Sequence, residues 1–170
     1  LEVGIRSGFG DDWIRIGALK LFADGALGPR TALMIEPYEG EPDNFGMRVV
    51  EKEEMTELVT QASAAGLSST VHAIGDRAVH DVLDVYEIVR GQEAARGETP
   101  AMRRHRIEHV QLIHPTDSHR LAELDIIASM QPMHATSDYE MSERYWGARS
   151  QWAYNARLQI DQGVKYALGT

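Results

Sequence analysis

Lys20, His72, His109 and His134 stand at or just past the ends of four successive strand-like runs, residues 13–22, 67–71, 104–110 and 125–131. Neutral imidazole is the commonest ligand for zinc and related metals. A single histidine at a strand end is more simply a hydrogen-bonded structural residue. Histidines ending two consecutive strands, with a third just beyond the next, point further. Neighbouring parallel strands lie about 5 Å apart, so such side chains can converge on one ion. Lys20 sits in the apolar end of its run. On one reading it pairs with a carboxylate such as Asp24 or Glu108, or snorkels outward. On the other, burial depresses its pKa and its amine reacts with carbon dioxide. The carbamate so formed would be an anionic oxygen ligand able to bridge two metals.

Other residues gather around these four. Asp76 follows Gly75 and is expected to cap a helix, with a second role as partner to an imidazole N–H. Glu108 precedes His109 in a strand, so alternation aims it away from His109 and predicts a structural role. Arg30 lies in a loop and is a candidate for binding a substrate anion or carbonyl. Gln131 and His134 lie where a substrate could be touched. His134 is a candidate for substrate binding or transition-state stabilisation ahead of metal ligation. His80, His105, His114 and His119 are assigned to the surfaces of helices, strand or loop, and Trp146 and Trp152 to packing.

The elements that must position these groups alternate. The strand over 13–22 leads into a breaker-rich loop and an irregular stretch to residue 48, a long loop of the kind used as a lid or binding loop. A helix from Glu51 carries an apolar face of Met55, Leu58, Val59 and Ala62 and stops at Gly66. A strand over 67–71, a helix over 77–90, a strand over 104–110, a short helix over 115–124 and a strand over 125–131 follow. Residues 137–150 are expected to be an aromatic and charged loop. A helix over 151–162 and a strand over 164–168 complete the series. Such βα repetition, with connections long enough for right-handed crossovers, predicts a parallel sheet in an α/β fold. In such folds ligands collect at the C-terminal ends of the strands.

Composition narrows the function classes. The 170 residues carry a formal charge of −9, which argues against a nucleic-acid or anionic-membrane partner. There is no cysteine, which removes disulfides, thiolate metal sites and a cysteine nucleophile. With no run of membrane length and no basic-then-apolar leader pattern, a cytoplasmic location is expected. No glycine-rich phosphate loop follows any strand, so a nucleotide-binding domain is a weak reading.

Four phrases, Leu19-Lys-Leu-Phe-Ala-Asp-Gly25, Val71-His-Ala-Ile-Gly-Asp-Arg-Ala78, Arg106-Ile-Glu-His-Val-Gln111 and Ser129-Met-Gln-Pro-Met-His134, occur in that order. Together they resemble the amidohydrolase superfamily, in the branch containing YtcJ-like proteins and N-substituted formamide deformylase. The resemblance covers nearly the whole chain. It implies a single domain over 1–170 that is part of a metal-containing (β/α)8 barrel, about strands four to eight, with a long active-site loop over about 24–50. It implies Lys20 as a carboxylated lysine ligand and His72 and His109 as metal ligands. The cofactor implied is a divalent metal, zinc foremost, with one or two ions in the full-length parent. The family's first-strand His-x-His or His-x-Asp pair is absent here. Its strand-eight aspartate, the general base, is expected just beyond Thr170, so no catalytic residue is assigned within the chain.

Two functions follow as expectations. The first is a metal-dependent hydrolase acting on carbon–nitrogen bonds of a small amide-like substrate, the 170 residues being inactive alone. The second is a non-catalytic half-barrel that binds a metal or small ligand. Exposed barrel edges would also favour homo-oligomers.

Overall fold

The computed structural model describes residues 4–169. Five strands, β1 (Ala18–Phe22), β2 (Ser68–Ala73), β3 (Arg106–His109), β4 (Ile127–Met130) and β5 (Tyr166–Leu168), form one parallel sheet in strictly sequential order. The connections carry α1 (Lys52–Ala64), α2 (Asp76–Ala95), α3 (Arg120–Glu123), α4 (Met133–Ser137), α5 (Tyr139–Trp146) and α6 (Ala156–Asp161). A doubly wound sheet reverses its strand order at a switch point and is covered on both faces. This sheet does neither. Its order is that of consecutive strands in the wall of a (β/α)8 barrel. Among the described residues no helix is long and apolar enough to cross a membrane.

The two faces differ in chemistry. Val71, Ala73, Ile107, Ala128 and Met130 point outward into the main core, where Met55 and Val59 of α1 and Val79, Val82, Leu83 and Tyr86 of α2 meet them. Each buried Val, Leu, Ile or Met side chain among these contributes roughly 1.5–3 kcal/mol. Tyr86 keeps its hydroxyl paired by donating to the Arg106 carbonyl at 3.0 Å. The inward face carries Lys20, Phe22, Thr70, His72 and Glu108. The register places Lys20 beside Thr70, Phe22 beside His72, and His72 beside Glu108. Phe22 remains 48% exposed.

Several expected boundaries move. The first strand begins at Ala18, because pairing with β2 starts there and residues upstream have no neighbour strand. Residues 10–15 instead close a local turn, with Asp11 Oδ1 accepting from the Trp13 and Ile14 N–H groups. Trp13 is 94% exposed, so it is no strand residue buried on both faces. Lys20 is consequently mid-strand, one inward layer below His72. The stretch expected to be loop at 137–150 is mostly helical, α5 followed by a 3-10 turn over Gly147–Trp152.

The long segment between β1 and α1 is neither a helix nor a strand, yet it is packed. Leu27, Ala32, Met34 and Tyr38 form a second core with Ile74, Leu112 and the fully buried Trp146. Tyr38 donates its hydroxyl to the Ala32 carbonyl at 2.9 Å. Arg149 straps the segment from outside, donating to the Glu36 and Pro37 carbonyls at 2.6 Å each.

Candidate metal centre at the strand ends

The histidine cluster depends on a break in strand alternation. His109 and Val110 have φ of 76° and 43°, left-handed values that cost a non-glycine residue of order 1–3 kcal/mol each. The kink is held by neighbours: Val110 N–H donates to the Ala73 carbonyl at 3.1 Å, and Leu112 N–H to the Ile74 carbonyl at 2.9 Å. It turns the His109 ring back toward His72, at 4.6 Å between centroids and edge-on. His134, on α4, follows at 5.9 Å from His109. Three rings thus stand in a row across β2, β3 and the β4 end.

The kink overturns one expectation. Glu108 does not lie on the opposite side from the histidines; it shares their face and acts electrostatically on Lys20, His72 and His109. Its Oε1 also lies 2.6 Å from Arg106 Nε. Lys20 has its Nζ 4.5 Å from the Phe22 ring centroid. Partial burial lowers the proton affinity of Lys20, and Glu108 opposes that.

Both inner histidines are held neutral. Burial pushes His72 below the ordinary histidine value, against the Gly25 carbonyl on its ring and with help from nearby Lys20. Burial also brings His109 down to about 4, with His72 adding to the effect. Neutral rings present lone pairs, the form a metal requires. His109 Nδ1 and Gln131 Oε1 are buried without a partner of good hydrogen-bond geometry, although Gln131 is near enough to raise the proton affinity of His109. Gln131 therefore sits against His109.

The remaining expected residues are placed differently. Asp76 partners no imidazole of the cluster. It is the first residue of α2 and nearly buried, and its Oδ1 accepts from the Ile35 and Arg77 N–H groups at 2.9 Å each. It anchors the long segment to the helix and, contrary to expectation, does not cap it, the N-cap being Gly75. Arg30 lies 2.6 Å from Glu41 Oε1 and over the Tyr145 ring, so it is occupied by its own loop and by α5. His134 is the accessible member, its Nδ1 3.6 Å from Asp138 Oδ2 and its side chain 37% exposed. His105, assigned to the surface from sequence, is fully buried at the opposite end of β3. The aspartate expected after Thr170 lies outside the described residues.

Asp24 is the residue that sequence reasoning undervalued. Its fully buried carboxylate accepts from the N–H groups of Leu33 at 2.9 Å, Ile74 at 3.1 Å and Gly75 at 2.8 Å. Its Oδ1 is 3.4 Å from His72 Nε2. Burial pushes the carboxyl up to about 7 against those three donors. The only local signal was an Asp-Gly pair straight after a strand.

Among the described residues, no three His, Asp or Glu side chains already converge as a metal cage. Two adjacent neutral imidazoles, one with a buried unpartnered nitrogen, do fit as part of the donor set of a divalent cation.

The chain is 38% identical over 81% of its length to Protein LONG AFTER FAR-RED 3 of Arabidopsis thaliana and 34% identical over 93% to Putative amidohydrolase YtcJ of Bacillus subtilis. It is 29% identical over 92% of its length to N-substituted formamide deformylase of Arthrobacter pascens. It spans only 23%, 28% and 28% of those three proteins. A solved structure titled as an uncharacterized metal-dependent hydrolase from Pyrococcus furiosus superposes with a TM-score of 0.85 at 34% identity, over 99% of this chain and 33% of that one. The profile described as Amidohydrolase family matches residues 2–170. With its sequential parallel strands and with sequence and structural relatives along nearly its whole length, the chain belongs to the amidohydrolase family.

Proposed function

We propose that this chain is the metal-holding part of a hydrolase that cleaves an amide-like carbon–nitrogen bond in a small molecule. The observation that carries the reading is the pair of neutral histidines, His72 and His109, edge-on at 4.6 Å on the inward face of the sheet. Their rings would supply two nitrogens to a divalent ion, zinc being the first candidate. Lys20 rises from the layer below. Its four-carbon stem suits the offset of two residues along the strand, about 7 Å. As a carbamate it would add an oxygen. A divalent ion held there would polarise the scissile carbonyl and lower the pKa of water.

The chain's own residues would do the rest. Glu108 opposes the lowering of proton affinity at Lys20 and adds a negative charge beside the metal-binding face. Gln131 supports His109. His134, exposed at the end of the row and steadied by Asp138, would contact the substrate. Arg30 is committed to Glu41 and Tyr145 and is the weaker candidate for that task. The relative named as a deformylase supports a carbon–nitrogen bond as the target.

The test is metal content of the full-length parent protein by elemental mass spectrometry, with hydrolysis of N-formyl amines, cyclic amides and esters by that parent measured in parallel. Near-stoichiometric divalent metal, lost in His72→Ala and His109→Ala, together with turnover of an amide substrate, is expected. Unchanged metal content in both variants would overturn the ligand assignment. Retained metal without turnover of any of the three classes would favour a binding half-barrel instead.

A further inference from the structure

Nitrogen choice at His72 is decided by two neighbours that no ligand set includes. The ring Nε2 is 2.7 Å from the Gly25 carbonyl oxygen. A carbonyl only accepts, so Nε2 carries the hydrogen and Nδ1 keeps the lone pair. The Gly25 carbonyl is held in place by the residue before it. Asp24 Oδ2 takes the N–H groups of Leu33 and Gly75, and Oδ1 takes that of Ile74. One carboxylate therefore ties the segment after β1 to the turn after β2, the two backbone turns that flank the His72 ring. Gly25 completes the arrangement, because a Cβ there would overlap the Thr31 hydroxyl. That hydroxyl closes the loop by accepting from Ala26 N–H at 3.0 Å.

We propose that Asp24 and Gly25 form a positioning clamp that fixes His72 as its Nε2–H tautomer and reserves Nδ1 for the ligand. The clamp rests on the reading of His72 as a metal ligand only for the identity of that ligand. Asp24 touches neither metal nor substrate; it is a positioning residue. Its carboxylate suits the place because the three groups that hydrogen-bond to it are all backbone N–H donors, while His72 Nε2, 3.4 Å away, gives its hydrogen to Gly25. An asparagine is the same size but turns an NH₂ donor toward at least one of those N–H groups.

The experiment is long-range ¹H–¹⁵N correlation on ¹⁵N-histidine protein, with the His72 signals assigned by their loss in His72→Asn. Wild type and Asp24→Asn are compared without metal and during titration with zinc. In wild type, His72 is expected to be the Nε2–H tautomer alone, with zinc shifting the Nδ1 resonance. In Asp24→Asn, a tautomer mixture and a zinc Kd raised about 10–100-fold are expected. An Nδ1–H tautomer in wild type would overturn the clamp. So would an Asp24→Asn protein with wild-type tautomer and wild-type Kd. If zinc binds through Nε2 of His72, the clamp fails and the metal reading stands. If zinc shifts no histidine while the tautomer is Nε2–H and is lost in Asp24→Asn, the metal reading fails and the clamp stands. Should Asp24→Asn not fold, the wild-type tautomer alone decides.

Discussion

Glu93 and His105 meet at 2.8 Å beneath the sheet, at the end of the molecule opposite His72, with both side chains at least 98% buried. The tautomer there is set by the backbone. Ser69 N–H donates to His105 Nδ1 at 3.0 Å, so Nε2 carries the hydrogen and donates it to Glu93. Ser63 donates to the same Glu93 oxygen and Arg90 to the other. A histidine on β3's approach is thus committed to structure, and the same residue type at β3's other end is left with an unpartnered nitrogen.

This pair predicts acid instability. Burial pushes the Glu93 carboxyl up, but hydrogen bonds from His105, Ser63 and Arg90 outweigh it and hold it at about 2, below its ordinary 4.5. Its stabilisation is full above pH 4.5 and is lost as pH falls toward 2. Burial holds His105 below its ordinary 6.5, against the pull of Glu93 and with Arg90 and Arg103 adding to the effect. Tyr86, stacked on the ring at 5.1 Å, stays uncharged across this range. The unfolded chain therefore takes up a proton at residue 105 that the fold refuses, so stability also falls as pH drops below about 6.5. Denaturation midpoints measured from pH 8 to pH 2 should decline on the acid side. In Glu93→Gln the lower part of that decline should flatten, and stability at pH 7 should fall by about 3 kcal/mol.

Lys20 should form a carbamate once the inward face is closed and metal is present. With ¹³C-bicarbonate, a carbamate resonance is expected in wild type and absent in Lys20→Arg, which keeps the charge but cannot be carboxylated. Metal content should fall in Lys20→Arg and recover partly with added short carboxylic acids. Full metal loading of Lys20→Arg without rescue would remove Lys20 from the site.

Two glycines separate close approach from simple chain entropy. A Cβ on Gly75 would overlap the Leu33 carbonyl oxygen, where the long segment crosses the N-terminus of α2. Gly75→Ala is expected to cost about 1–3 kcal/mol by forcing those backbones apart. Gly91, within α2, has open space where a Cβ would be. Gly91→Ala is expected to stabilise by about 0.5–1 kcal/mol. Paired thermal melts check both signs.

Arg149→Ala should loosen the long segment without unfolding the sheet. It removes donors to the Glu36 and Pro37 carbonyls and to the Trp146 carbonyl. Limited proteolysis between residues 36 and 42 should speed up several-fold, while far-ultraviolet circular dichroism stays unchanged. Equal cleavage rates would show that the second core around Trp146 alone holds the segment down.

The sequence by itself determined the order of the strands, the parallel sheet and the histidines presented near the strand ends. Those follow from local periodicity, from breakers such as Gly66 and Gly75, and from βα repetition, all written within a few neighbouring residues. Tertiary structure alone decided how those residues face one another. Alternation predicted Glu108 turned away from the cluster, but left-handed backbone at His109 and Val110 brings both side chains to one face, held by contacts with residues 73 and 74. Asp76 was legible as a helix-start residue, yet its carboxylate serves Ile35, more than 40 residues earlier in the chain. Asp24 looked like a loop residue because its partners, Leu33, Ile74 and Gly75, come together only when two connections fold over one strand end. Hydrogen bonds of that range carry no local pattern, and they are what turn a row of histidines into a site.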